Sequence, residues 1–172
     1  FVPASGKREH AIIALADNEN IYLKNISADN SDSTHVSGIS FWTPCENIEI
    51  NSCNIKLSND TYNCSCIELL GSHKGDVRIL NNALSGGIYG LDFRGAYYQI
   101  QRSKNVTIRG NKITGFYGAG IYSDGNNKFG WIADNEIISN EETATYSIYL
   151  FYTELDSGIV SNRTNAGICF YY

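Results

Sequence analysis

Apolar residues alternate with polar ones inside short windows of this chain, and the windows themselves recur. Ile48 and Ile50, Val77 and Ile79, and Val106 and Ile108 are spaced by two, which is strand periodicity. One or two Asn or Gly residues then intervene before one more aliphatic: Ile55, Leu84, Ile113 or Ile137. The windows read NIYLKNISA from Asn20, NIEINSCNI from Asn47, DVRILNNAL from Asp76 and NVTIRGNKI from Asn105, with looser copies from Gly130 and Ser157. Each is followed by a second motif, a small residue and then alternation: GISF at Gly38, CIEL at Cys66, GLDF at Gly90, GIYS at Gly120, SIYL at Ser147 and GICF at Gly167.

Aligned on their sixth or seventh residue, the windows place Ile26, Cys53, Asn82, Asn111, Asn135 and Asn162 in one column, with steps of 27, 29, 29, 24 and 27 residues. A repeat of this length means one supersecondary unit per period, stacked on its neighbours. The asparagines fall at a corner. Asparagine tolerates the left-handed conformation and hydrogen-bonds its own kind one coil away, so a ladder is expected from the third coil onward. No segment shows capped helical periodicity. The predicted fold is all-β, one domain over 1–172. Residues 1–19 form a lead-in strand and 20–172 about six coils of 24–29 residues.

With its strands bounded by Gly, Asn, Asp and Ser, the segment NVTIRGNKITGFYGAGIYSDG resembles the right-handed parallel β-helix of the pectin-lyase-like superfamily, and the resemblance extends over about residues 20–172. It implies the fold and leaves activity open, because such scaffolds carry lyases, hydrolases, epimerases, adhesins and phage tailspikes.

Composition narrows the class. Apolar residues make up 42% of 172, so a core is expected. No run approaches the length of a membrane span. Thirteen Lys and Arg against 18 Asp and Glu give −5 and no basic stripe, which argues against nucleic acid. The five cysteines, Cys45, Cys53, Cys64, Cys66 and Cys169, have neither framework nor zinc spacing. Cys53 and Cys66 are expected to pack as small hydrophobes. There is no methionine, and the chain stops on the apolar ICFYY. Solenoids need polar caps, so the sequence reads as a piece of a longer protein.

The candidate chemistry lies on the second motif. Side chains leaving one face of a β-helix stack coil above coil, about 4.8 Å apart. One outward column reads Ser40, Glu68, Asp92, Tyr122, Tyr149, Cys169; the next reads Trp42, Leu70, Arg94, Asp124, Phe151, Tyr171. Carboxylates framed by aromatics suit a sugar-cleaving groove. Asp92, Glu68 and Asp124 are therefore the candidate catalytic groups, and Arg94, Trp42, Tyr122 and Tyr149 the candidate substrate-binding groups. The same residues equally describe an ordinary polar strand face, although like charges on neighbouring strands are unfavourable and ask for a partner or a use. Glu68 and Asp92, adjacent in one column, are expected at about 5–6 Å, and Asp92 and Asp124, diagonal, at about 7–9 Å, spacings compatible with retention and inversion respectively. No metal or other cofactor is expected: Asp124, Asn126 and Asn127 offer oxygens but read as a solvated turn. His35 and His73 read as turn residues. Tyr97, Tyr98, Tyr122 and Arg94 offer a base and a charge neutraliser for a lyase or epimerase.

Resemblance to specific families is partial. The stretch CNIKLSNDTYNCSCIELLGS is similar to the polygalacturonase segment ending in GDDC, with Cys64 and Ser65 where that family has acids, and Tyr89 stands where GGIYGLDF would need the family's histidine. Closest in character are tailspike and capsule-depolymerase β-helices. That resemblance implies a homotrimer on a virion tail or outside the cell that binds and degrades polysaccharide (capsule, O-antigen or another polyuronic or cell-surface glycan), acting as a glycoside hydrolase. A polysaccharide lyase or epimerase, or a non-catalytic adhesin or fibre shaft, are the alternatives. Neither nucleic acid nor membrane insertion is expected.

Overall fold

The computed structural model describes residues 10–31, 36–58, 64–71, 73–94, 103–125, 127–139 and 144–171. Three strands make each coil. The first holds β1 (His10–Leu15), β2 (Glu19–Lys24) and β3 (Ser27–Asn30); the second β4 (Val36–Phe41), β5 (Glu46–Asn51) and β6 (Asn54–Leu57); the third β7 (Ser65–Leu70), β8 (Lys74–Leu80) and β9 (Ala83–Ser85). The fourth holds β10 (Tyr89–Arg94), β11 (Ser103–Arg109) and β12 (Lys112–Thr114); the fifth β13 (Ala119–Asp124), β14 (Asn127–Ala133) and β15 (Glu136–Ile138); the sixth β16 (Tyr146–Phe151), β17 (Glu154–Val160) and β18 (Arg163–Thr164), before a last strand β19 (Gly167–Tyr171).

Strands of equal rank pair in parallel into three sheets. Sheet A runs β1-β4-β7-β10-β13-β16-β19, sheet B β2-β5-β8-β11-β14-β17 and sheet C β3-β6-β9-β12-β15-β18. The chain is thus an all-β parallel solenoid, or β-helix, and no helix long and apolar enough to cross a membrane occurs among the described residues. The aliphatic after each corner, expected as a lone inward residue, is the centre of a sheet C strand. Three or four residues are too few to show alternation. Ile48, Ile50, Val77, Ile79, Val106 and Ile108 from sheet B meet Ile55, Leu84, Ile113 and Ile137 from sheet C and Ile39, Ile67, Leu91, Ile121 and Ile148 from sheet A in one closed core. Cys53 and Cys66 lie in it, and the five cysteines are free thiols.

The corners divide labour more finely than the sequence suggests. At the corner between sheets B and C the left-handed residue is the one before the ladder position: Asn25, Ser52, Asn81, Gly110, Asp134 and Ser161 have φ of 56°, 56°, 55°, 67°, 55° and 54°. The ladder asparagine is thereby free to turn inward. Asn82, Asn111 and Asn135 each donate through Nδ2 to the next Oδ1 at 2.9 Å, ending on Asn162. Each also donates to a backbone carbonyl one coil back, Ile50, Ile79 and Ile108. The expected start at the third coil holds, since Cys53 contributes only its backbone N–H to Asn82.

A second left-handed corner lies between sheets A and B, at Asn20, Asn47, Gly75 and Asn105. It explains why three of the windows open on Asn. His73, expected in a turn, sits just inside this corner. It is buried, its ring edge-on to Phe41, with Nδ1 accepting from the Cys45 N–H at 3.1 Å. Asn127 likewise points inward rather than into a solvated turn, donating to Ser123 Oγ. The small residue near the start of each sheet A strand has a steric reason. A methyl on Gly90 would lie 2.7 Å from the Gly120 carbonyl oxygen and overlap Ile113.

Candidate functional site

Sheet A fixes the site by register. Ser40 pairs with Glu68, Glu68 with Asp92, Asp92 with Tyr122, and Tyr122 with Tyr149; two residues on, Leu70 pairs with Arg94, Arg94 with Asp124, and Asp124 with Phe151. The first column read from the sequence is therefore continuous from Ser40 to Cys169 and the second from Leu70 to Tyr171, and Asp92 and Asp124 are diagonal neighbours. Trp42, half-buried, follows β4 two coils before Arg94 and its backbone N–H donates to the Leu15 carbonyl. Tyr97 and Tyr98 lie outside the described residues, as do His35 and Asn126.

Three groupings emerge. The first is a clamp: Arg94 Nη2 lies 2.9 Å from Asp92 Oδ2 and its Nε reaches both carboxylate oxygens at 2.9 and 3.2 Å. Ser65 Oγ donates to the same carboxylate at 3.3 Å. Asp92 is 0% exposed, whereas the Arg94 side chain keeps 34%. Burial pushes the Asp92 carboxyl up to about 6, opposed by Arg94 and reinforced by Glu68. The Arg94 guanidinium is held above its ordinary value by the Asp92 carboxylate, which outweighs its own burial. At neutral pH the two form a closed ion pair with one accessible, cationic side.

The second grouping is Glu68, half-buried, which accepts from Ser40 Oγ at 2.8 Å. It is the carboxylate neighbour of the clamp and faces outward. The third is a row of phenols. Tyr89 stacks on Tyr122 with centroids 4.3 Å apart and planes 15° apart, and Tyr122 stacks on Tyr149 at 5.5 Å and 4°. Tyr146 leans on Tyr149 at 5.2 Å. Tyr122 donates to Asp124 Oδ2 at 3.3 Å. With Tyr89 and Tyr149 stacked against it, the ring faces of Tyr122 are occupied by its neighbours and not open to a sugar ring. Burial and the nearby Asp124 hold the Tyr122 phenol well above the usual range, and burial raises Tyr89 too.

Sequence reasoning missed Tyr89, Tyr146 and Ser65 as members of this face. Tyr89 and Tyr146 open their strands one residue before the small position, and that offset from the alternating columns hid them. Among the described residues no cluster of three or more His, Cys, Asp or Glu is placed to hold a metal ion. A cavity of about 690 Å³ opens at the C-terminal end of the core, lined by Leu150, Leu155, Ile159, Ile168 and Phe170. None of the predicted site residues lines it.

The fold and this face define a class: a parallel β-solenoid with an acidic, tyrosine-rich sheet. Scans of protein-family models, curated proteins and solved structures find no match to the chain.

Proposed function

We propose that the chain is a polysaccharide-binding β-helix, with the outward face of sheet A as its binding surface. The observation that carries this reading is the register itself. Glu68, Asp92 with Arg94, Asp124 and the phenols of Tyr89, Tyr122 and Tyr149 stand side by side on four consecutive coils. Charged acceptors, phenol hydroxyls and one accessible guanidinium edge match a ligand made of hydroxyls in a repeating chain. The setting, a tailspike-like homotrimer acting on bacterial surface polysaccharide from a virion tail or outside the cell, rests on family resemblance alone.

Hydrolysis is the second reading, favoured by one feature. Asp92 has its carboxyl raised to about 6 directly beside the outward-facing Glu68. Two adjacent carboxyls in unlike environments are the pattern of an acid paired with a base or nucleophile. Substrate meets Asp92 only if Arg94 swings away, and the side chain exposed today is Arg94. A lyase or epimerase is supported less, because Arg94 is committed to Asp92 and the Tyr122 phenol is shifted away from acting as a base.

Affinity electrophoresis through gels cast with bacterial capsule or O-antigen tests binding, and a reducing-end assay on the same polymers tests hydrolysis. Retardation that Tyr122→Phe with Glu68→Gln abolishes is expected. Retardation unchanged by these substitutions would place the binding surface elsewhere. Release of reducing ends that Asp92→Asn stops would add hydrolysis.

A further inference from the structure

Sheet B carries what the tyrosine row of sheet A lacks, an aromatic ring with open sides. Resting on the glycan-binding reading above, we infer that Trp131 is a stacking platform for a hexopyranose unit of a neutral polysaccharide, and so a second glycan contact on a different face of the solenoid.

Register builds the platform. One column of sheet B reads Tyr22, Glu49, Arg78, Thr107, Trp131 and Gly158 on six consecutive coils. Plain alternation would put residues 129 and 131 on one face. Instead the pairing shifts register on both sides of β14, between Val106 and Thr107 and between Phe129 and Trp131. Such a bulge re-aims a side chain: Phe129 is fully buried in the core, and Trp131 is 44% exposed. Its two neighbours in the column are small. Thr107 stands on one side, and on the other a Cβ added to Gly158 would meet nothing within 4 Å. Among the described residues the indole has neither a ring contact nor a hydrogen-bond partner. Tyr122, in contrast, is stacked between Tyr89 and Tyr149.

The surroundings select the ligand. An indole offers a broad apolar face with an N–H at its edge. One such ring with one exposed aliphatic, Val160, beside it suits a single small ring better than a protein surface, which needs a larger continuous patch. The charges nearby are matched, Arg109 with Asp134 at 2.8 Å and Lys128 with Asp156 at 3.0 Å. The complement of this patch is therefore neutral. Arg109 and Asp134 keep 66% and 43% of their side chains exposed, so spare N–H groups and carboxylate oxygens are available to hydroxyls. A pyranose has both parts, a C–H face for the ring and hydroxyls for its rim. A second exposed ring, Tyr22 at 64%, stands in the same column four strands away, about 19 Å at the ordinary strand spacing. Two rings on one line across the strands suit a chain of sugars rather than a lone one.

The test is affinity electrophoresis of the whole chain through gels cast with hydroxyethylcellulose, dextran, or the capsule and O-antigen polymers used for sheet A. On a neutral polymer that retards the parent chain, Trp131→Ala should weaken retardation at least fivefold. Trp131→Tyr, which keeps a flat ring, should retain most of it, and Tyr22→Ala should lose about twofold. Circular dichroism and the urea midpoint, which a surface ring should barely move, separate lost stacking from lost fold. Should Trp131→Ala be destabilised, Trp131→Gln, which keeps bulk without a ring, gives the same reading. If Trp131→Ala is retarded like the parent while Tyr122→Phe with Glu68→Gln is not, the platform is overturned and the sheet A surface stands. If Trp131→Tyr loses as much as Trp131→Ala, the ring is not what the polymer needs and the inference is likewise overturned. If Trp131→Ala abolishes retardation and the sheet A pair leaves it unchanged, the platform stands and the sheet A surface falls. If no polymer retards the parent chain, the glycan reading falls and takes the inference with it.

Discussion

Two columns of polar side chains run up this solenoid, and they are built on opposite rules. The asparagine column repeats one residue at Asn82, Asn111, Asn135 and Asn162, and each member makes the same bonds to the next amide and to backbone one coil back. The sheet A column changes residue at every coil, Ser40, Glu68, Asp92, Tyr122, Tyr149, and its bonds run to other side chains. Both are in register, but Asn82, Asn111 and Asn135 are buried, whereas in the sheet A column only Ser40 and Asp92 are. Identity along a column saturates hydrogen bonding and marks structure. Variety leaves outward donors and acceptors on Glu68, Arg94 and the phenols, which is what a ligand needs.

The asparagine column should therefore be the more costly to break. Asn111→Ala removes the acceptor of the Asn82 N–H and Nδ2 and the donor to Ile79 O and Asn135 Oδ1. Each buried polar group left without a partner costs about 1–3 kcal/mol, so a loss on the order of 4 kcal/mol is expected, read as a drop in the urea midpoint. Asn162→Ala, partly exposed and at the end of the row, should cost less than half as much. Equal losses would show that the row is not cooperative.

Next in size is the clamp. Arg94→Ala leaves Asp92 buried without its cation, and breaking such a pair costs about 3–5 kcal/mol at most. The buried carboxyl meets part of that by taking a proton, so about 2–3 kcal/mol at neutral pH is expected, shrinking in acid. Lys56→Ala, which opens the exposed pair with Asp29, should change stability by less than about 1 kcal/mol. Chemical denaturation of both variants at two pH values decides whether sheet A holds a real ion pair.

The third effect is a pH dependence in which two buried groups oppose each other. Asp92 goes from 3.8 to about 6 on folding. Between those values the folded state holds the extra proton, so its contribution to stability falls as pH rises. Desolvation lowers His73 from 6.5 to about 4. There the unfolded state holds the extra proton, so stability rises with pH across about 4–6.5. Each shift of about two units or more is worth about 3 kcal/mol, and the overlapping slopes largely cancel. His73→Phe should expose the Asp92 slope, with stability falling from pH 4 to 6. Asp92→Asn should expose the opposite one. Parallel profiles for both variants and the parent chain would show that neither group is as buried as described.

Much of this was legible before any coordinates. Alternation at Ile48/Ile50 and Val106/Ile108, the recurring Asn and the small residue at Gly90 or Gly120 each report a local demand that repeats with every coil. Sheet C was not legible, because three residues such as Lys112–Thr114 carry no measurable period. The left-handed role of Asn81 or Asp134 was assigned one residue late, since both neighbours of the corner are polar. In the candidate site the neighbours were readable, as register follows from the repeat, but depth was not. Asp92 reads as outward by alternation yet is closed over by Arg94. His73 looks like a turn residue yet packs edge-on to Phe41. Side-chain reach decides both, and the spacing of apolar residues does not encode it.

The smallest effect sharpens the contrast most. Tyr122→Phe keeps the ring between Tyr89 and Tyr149 and removes only a hydroxyl bonded to the half-exposed Asp124 at 3.3 Å. A long bond of this kind is worth about 0.5–1 kcal/mol, so the urea midpoint should barely move. Glycan retardation, in contrast, should weaken several-fold, because the lost group belongs to the proposed binding surface. If the midpoint instead falls as far as it does for Asn111→Ala, the tyrosine row is structural like the asparagine row, and variety along a column is no guide to function. If retardation falls while the midpoint holds, sequence variation inside a strictly repeating frame is itself the marker of the site.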